Sequence, residues 1–149
     1  MKAQQLHIAL LGNPNSGKSS LFNALTGLKQ KVGNFPGVTV DKRSGESAIS
    51  ATLKANIIDL PGTYSLYPRR SDEWVAYNVL MNPGSAEKPE LYVLIVDASN
   101  LKRNLLFASQ VIDLKKPVVI ALTMMDIASR KGLSIDVQGL ERELGVPVI

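Results

Sequence analysis

The 149-residue sequence contains no cysteine, which excludes disulfides and thiolate chemistry as organising features. Its one histidine, His7, lies in an apolar run, and no His, Cys, Asp and Glu cluster has metal-ligand spacing, so His7 is expected in the core or at a strand edge. Aromatic residues make up 5%, and no basic stripe interleaved with them accompanies the net charge of +4, so nucleic acid is not an expected partner. The apolar runs 91–96 and 117–125 are far shorter than the roughly 20 residues that cross a bilayer, and they read as buried strands. The N-terminus lacks a basic segment running into a long apolar stretch with a small-residue cleavage site. A cytosolic location is the resulting expectation. Neither an internal repeat nor a low-complexity segment is present. What remains, 45% hydrophobic and 20% charged, has the balance of one globular domain with its basic charge in scattered pairs such as Lys42-Arg43 and Arg69-Arg70.

The most informative stretch is Gly12-Asn13-Pro14-Asn15-Ser16-Gly17-Lys18-Ser19, which reads G-x-x-x-x-G-K-S. An apolar run, residues 6–11, precedes it, and residues 19–25, beginning Ser19-Ser20, follow with helical apolar spacing. Strand, loop and helix are the context a phosphate-binding loop requires, because its glycines let successive N–H groups curl around an anion at a helix N-terminus. In that reading Lys18 reaches the terminal phosphates and the Ser19 hydroxyl binds Mg²⁺.

The first helix is expected to end at Thr26-Gly27, and residues 28–36 read as a mobile loop leading to an extended Gly37-Val38-Thr39-Val40. A turn at Ser44-Gly45-Glu46 and a strand over 53–58 ending at Asp59 predict a hairpin. Residues 60–70 have no clear period; Ser71 is a candidate N-cap for a helix through Met81, and residues 82–90 read as a loop. Then follow a strand over 91–96 closing at Asp97, a helix over 100–114, a strand over 118–122, a helix over 135–144 stopped by Gly145, and the start of another strand at Val146. The chain stops inside that strand, so a longer parent protein is expected. Alternation of strands and helices predicts an α/β domain with a mainly parallel sheet and its ligand at the strands' C-terminal ends.

Polar residues recur at those ends. Asp59 is placed to hold Mg²⁺ through water, and Gly62 to offer its bare N–H to a terminal phosphate. Thr39, with Gly37 before it, sits where a hydroxyl reaches Mg²⁺ and a carbonyl holds the attacking water. Thr123-Met124-Met125-Asp126 is the candidate base-reading element, since a carboxylate accepts two hydrogen bonds from guanine that adenine does not supply. Each position has a plainer alternative: a strand-ending carboxylate for Asp59, a β-branched strand residue for Thr39, a cap for Asp126.

The order GNPNSGKS, GVT, DLPG, TMMD resembles the translation-factor-like GTPases, and VGNFPGVTV (32–40) with VDASNLKRNL (96–105) is similar to the ferrous-iron transporter B family, over essentially the whole chain. The resemblance implies a three-layer phosphate-loop NTPase of the Ras-like G-domain type, occupying residues 1–149 as a single GTPase domain. It further implies the N-terminal cytosolic part of a bacterial or archaeal inner-membrane Fe²⁺ transporter, with a helical regulatory domain and the iron-permease region following Ile149. Residue by residue it implies Gly12 to Ser20, Gly37, Thr39, Asp59, Gly62, Thr123, Met124 and Asp126 for GTP or GDP, and Ser19, Thr39 and Asp59 for Mg²⁺. Asn15 falls on the family's potassium position, so Lys18, Asn15, Thr39 and Gly62 become the expected catalytic set, with K⁺-stimulated hydrolysis.

Two positions depart from the pattern. Thr63 stands where Ras-type enzymes carry a water-orienting glutamine, which implies slow turnover, with Thr63 or the mobile-loop backbone as the alternative water-holder. Thr123 stands where the family usually has asparagine; a hydroxyl bridges fewer partners than an amide, so some ATP acceptance is expected. A final base-binding loop would begin past Ile149. Two other functions fit less well: a nucleotide-gated interaction module with little hydrolysis, and a ribosome- or tRNA-related GTPase of the same superfamily.

Overall fold

The computed structural model describes residues 4–27, 29–35, 37, 39–81 and 88–149. Six strands form one sheet in the order β2-β3-β4-β1-β5-β6: β1 (Gln4–Gly12), β2 (Gln30–Asn34), β3 (Asp41–Ala48), β4 (Leu53–Asp59), β5 (Leu91–Asp97) and β6 (Val118–Thr123). β1 pairs in parallel with both β4 and β5, and β5 with β6; β3 runs antiparallel to β4 and β2 antiparallel to β3. The mainly parallel sheet is therefore as expected, with an antiparallel edge.

Alternation along β1 explains the layers. Ile8 and Leu10 face one side, where they join Ile57, Ile95 and Phe22 of α1 (Lys18–Thr26). Ala9 and Leu11 face the other, packing with Val75, Val79 and Leu80 of α2 (Ser71–Met81) and with Phe107 and Val111 of α3 (Leu101–Ile112). β1 is covered on both faces, which is why its second half is continuously apolar. A 3₁₀ turn (Ala98–Asn100) leads into α3, and α4 (Met125–Arg130) and α5 (Val137–Leu144) complete the chain of helices.

Several expectations need correction. Gln30–Asn34, within the expected mobile loop, is the edge strand β2; its residues are almost all exposed and backbone pairing with β3 holds it, so its sequence carries no side-chain alternation. Leu28 and Pro36 of that expected loop and Val38 of the expected extended segment lie outside the described residues, as do residues 82–87 of the loop expected over 82–90. Gly37 is a turn residue with φ 78°, and Thr39 and Val40 precede β3 rather than forming a strand. Ser44-Gly45-Glu46 is strand interior, and the chain reverses at residues 49–52 instead. Glycine is needed at 45 because a Cβ there would lie 2.6 Å from Thr26 Cγ2 and 2.9 Å from the Lys29 carbonyl, where α1 crosses β3. Ser71 is the first helical residue of α2, and the carbonyl that accepts the Trp74 N–H (3.3 Å) is that of Arg70. At the C-terminus, Val148 bridges in parallel to Ile120, the beginning of the expected further strand.

Candidate functional site

Residues 12–17 connect the C-terminal end of β1 to α1, and their path depends on left-handed backbone at Asn15 (φ 60°) and Gly17 (φ 90°). Among the described residues no side chain caps α1 at Gly17, so the N–H groups of its first turn stay directed at the loop. Three neighbours pin the loop. Thr63 N–H donates to the Gly12 carbonyl (3.0 Å), Gly62 lies against the Pro14 backbone, and the Thr123 hydroxyl donates to the Ser16 carbonyl (2.5 Å) with Val96 O at 3.3 Å. Thr123 thus links β6 to the loop.

Lys18 opens α1, just past the loop that leaves β1, and Asp59 ends the adjacent parallel strand β4; both are buried, and the Lys18 ammonium donates to the Asp59 carboxylate. The sequence assigns these charges to different partners, phosphate and Mg²⁺, whereas here each neutralises the other, as buried charges must.

Two clefts meet at Lys18 and Ser19. One, of about 540 Å³, is walled by Asn13, Pro14, Asn15, Gly17, Ser20 and Gly62 together with Met124, which adopts φ 56°. The other, of about 700 Å³, brings Thr39 to the same place as Ser19, Asp59 and Leu60. Asn15 also borders a small recess of about 180 Å³ with Ser16, Asp97 and Arg103. The Ser16 hydroxyl and the Asn13 carboxamide are buried there without a partner among the described residues.

Gly37 and Asp126 are not among the residues that wall the two clefts. Asp126 sits in the first turn of α4, two residues past Met124, with its carboxylate exposed and 2.9 Å from Arg130 Nη2. The Ile127 N–H, then the Arg130 guanidinium, hold that carboxyl below its ordinary value of 3.8.

Sequence reasoning missed Arg70 and Asp72, which wall both clefts. A basic pair just ahead of a helix was the available signal, but the distance to the phosphate loop was not legible. It also missed what steadies residues 63–66: Gln110 Oε1 accepts the Leu66 N–H (2.7 Å) and the Ser65 hydroxyl (3.2 Å), and the Arg103 guanidinium lies 4.0 Å over the Tyr64 ring. Thr63 is buried and its hydroxyl donates to Ser65 O (2.8 Å). Among the described residues no three His, Cys, Asp or Glu side chains gather as a metal cluster, and no helix is long and apolar enough to cross a membrane.

Comparison with known proteins bears on the family and the fold. A family model described as ferrous iron transport protein B matches residues 6–149. The Fe(2+) transporter FeoB of Salmonella typhimurium is 45% identical over 150 residues, covering 98% of this chain but only 19% of that protein. The chain therefore spans about a fifth of the length of the curated relatives it matches. The crystal structure of the G domain of the T. maritima FeoB iron transporter superposes with a TM-score of 0.87 at 40% identity, over 98% of this chain and 86% of that one. A GDP-bound mutant of the S. thermophilus FeoB G domain gives 0.86 at 46% identity, over 97% of this chain and 53% of that one.

Proposed function

Since the chain belongs to the ferrous iron transport protein B family and has the G-domain fold of phosphate-loop GTPases, we propose that it is the guanine-nucleotide switch of a larger iron transporter, binding GTP and hydrolysing it to GDP. The observation that carries this reading is the convergence of Lys18, Ser19, Asp59 and Gly62 on two joined clefts beneath an uncapped helix N-terminus. That arrangement fits a nucleotide's phosphates: N–H groups and an ammonium face the cleft from the loop side, and a relative of the same fold is GDP-bound.

The Ser19 and Thr39 hydroxyls and the Asp59 carboxylate form an all-oxygen set suited to Mg²⁺, which when bound neutralises charge between the terminal phosphates. A phosphate oxygen then replaces Asp59 as partner of Lys18. Gly12 to Ser20 and Gly62 hold the phosphates, with Gly37 and Thr39 closing from the adjoining loop. Thr123, Met124 and Asp126 present the base contacts, Asp126 accepting from guanine. Asn15 would hold K⁺, which would supply positive charge beside the phosphates. With the Thr63 hydroxyl committed to Ser65, the backbone around Thr39 is the better holder of the attacking water. The reading extends to the parent protein: this domain on the cytosolic side, a helical regulatory domain and a membrane-embedded iron-permease region in the remaining length.

Multiple-turnover phosphate release from GTP with Mg²⁺, in K⁺ and in Na⁺, tests the assignment. Expected are turnover lost in Lys18→Ala, a faster rate in K⁺, and GTP outcompeting ATP for binding. Guanine-nucleotide binding with a phosphate-release rate equal to that of Lys18→Ala would instead indicate a nucleotide-gated interaction module.

A further inference from the structure

Arg70 stands where local rules disfavour it. Its carbonyl accepts the first helical hydrogen bond of α2 and also the Glu73 N–H (3.1 Å), which makes it the N-cap, a position favoured by Ser, Thr, Asp or Asn. A guanidinium beside the positive end of a helix is electrostatically misplaced. Departures of this kind from local consistency concentrate at functional sites. Among the described residues the side chain has no strong partner: Nε lies 3.8 Å from Asp72 Oδ1 and 3.6 Å from Glu73 Oε1, beyond ordinary hydrogen-bond length, and the side chain is 68% exposed. Such exposed pairs release at little cost. Meanwhile Arg70 walls both clefts, the one formed by the phosphate loop and Gly62 and the one holding Thr39 and Asp59.

We propose that Arg70 is a catalytic cation supplied within the chain, its guanidinium leaving Asp72 and Glu73 to engage the terminal phosphoryl oxygens during GTP hydrolysis. The inference rests on the GTPase reading above. In that reaction water oxygen bonds to the γ-phosphorus while the bond to the β–γ bridging oxygen breaks; its electron pair goes to GDP, and the water proton ends on inorganic phosphate. Arg70 exchanges no atom. It compensates the charge that accumulates on the bridging and γ-oxygens, and its planar fork matches two oxygens at once.

The test is GTP turnover by the full chain for wild type, Arg70→Ala, Arg70→Lys and the neighbouring Arg69→Ala, with GDP affinity and affinity for GDP plus aluminium fluoride measured alongside. Expected is a fall in kcat of about tenfold to a hundredfold for Arg70→Ala. KM and GDP affinity should stay within about twofold, binding of the aluminium fluoride complex should weaken with kcat, Arg70→Lys should recover only part, and Arg69→Ala should match wild type. Unchanged GDP affinity shows that the variant is folded. Wild-type kcat in Arg70→Ala overturns the proposal and leaves the GTPase reading intact; wild-type turnover no faster than Lys18→Ala overturns both.

Discussion

Replacing Gly62 with alanine separates two reasons for a glycine there. An alanine Cβ would lie 2.9 Å from Pro14 N, 3.0 Å from Pro14 Cα and 3.1 Å from Pro14 Cγ, all atoms of a rigid ring or its backbone. Relief by moving residue 62 away is blocked, because Leu60 N–H donates to the Leu10 carbonyl (3.3 Å) and Thr63 N–H to the Gly12 carbonyl (3.0 Å), pinning both sides to β1 and its loop. Overpacking without an exit costs about 1–3 kcal/mol. For a chain of this size that corresponds to a Tm lower by roughly 2–12 °C. Thermal unfolding followed by circular dichroism, without nucleotide, is the decisive assay. If glycine served only to let a phosphate approach, the nucleotide-free Tm would not move and only triphosphate affinity would fall. A nucleotide-free Gly62→Ala protein melting within about 1 °C of wild type refutes the packing argument, since even its lower bound exceeds that.

Other outcomes follow from the same geometry. Thr123→Ala removes the bond to the Ser16 carbonyl, about 0.5–1.5 kcal/mol, and should weaken GDP binding roughly twofold to tenfold by fluorescence titration. Thr123→Asn should raise the GTP-over-ATP preference in competition binding; an unchanged ratio removes the hydroxyl as the cause of relaxed base choice. Asp126 has its folded carboxyl pKa depressed, so its ionised form is fully present above the ordinary value of 3.8 and is lost only as pH falls through the lower folded value. GDP affinity should then show no Asp126-dependent change between about pH 8 and pH 5, and a decline in that window that Asp126→Asn abolishes would contradict it. Gln110→Ala frees the Leu66 amide, whose hydrogen exchange should accelerate at least about fivefold while amides in β1 exchange as in wild type.

The chemistry at single strand ends was written locally. GNPNSGKS sits between an apolar strand and an amphipathic helix, and the motif spacing singles out Lys18, Ser19, Asp59 and Gly62, residues that wall the two clefts. The strands β1, β4, β5 and β6 and helices α1 and α3 were legible because each carries its own apolar pattern. The elements that escaped notice lack one. β2 is held at the sheet edge by main-chain bonds, α4 is a six-residue turn of helix entered through Met124 in a left-handed conformation, and Gly45 looks like a turn until α1 crosses it.

Tertiary structure alone decided who meets whom. Lys18 and Asp59 are 41 residues apart and touch because β4 pairs beside β1, while Thr123 reaches Ser16 across 107 residues because β6 and β1 both flank β5. Arg70 belongs to this second class. Its residue type was visible in the sequence, but its place on the wall of both clefts depends on sheet order and on the start of α2. Spacing along a chain encodes local geometry, whereas distance through space is set by which strands become neighbours.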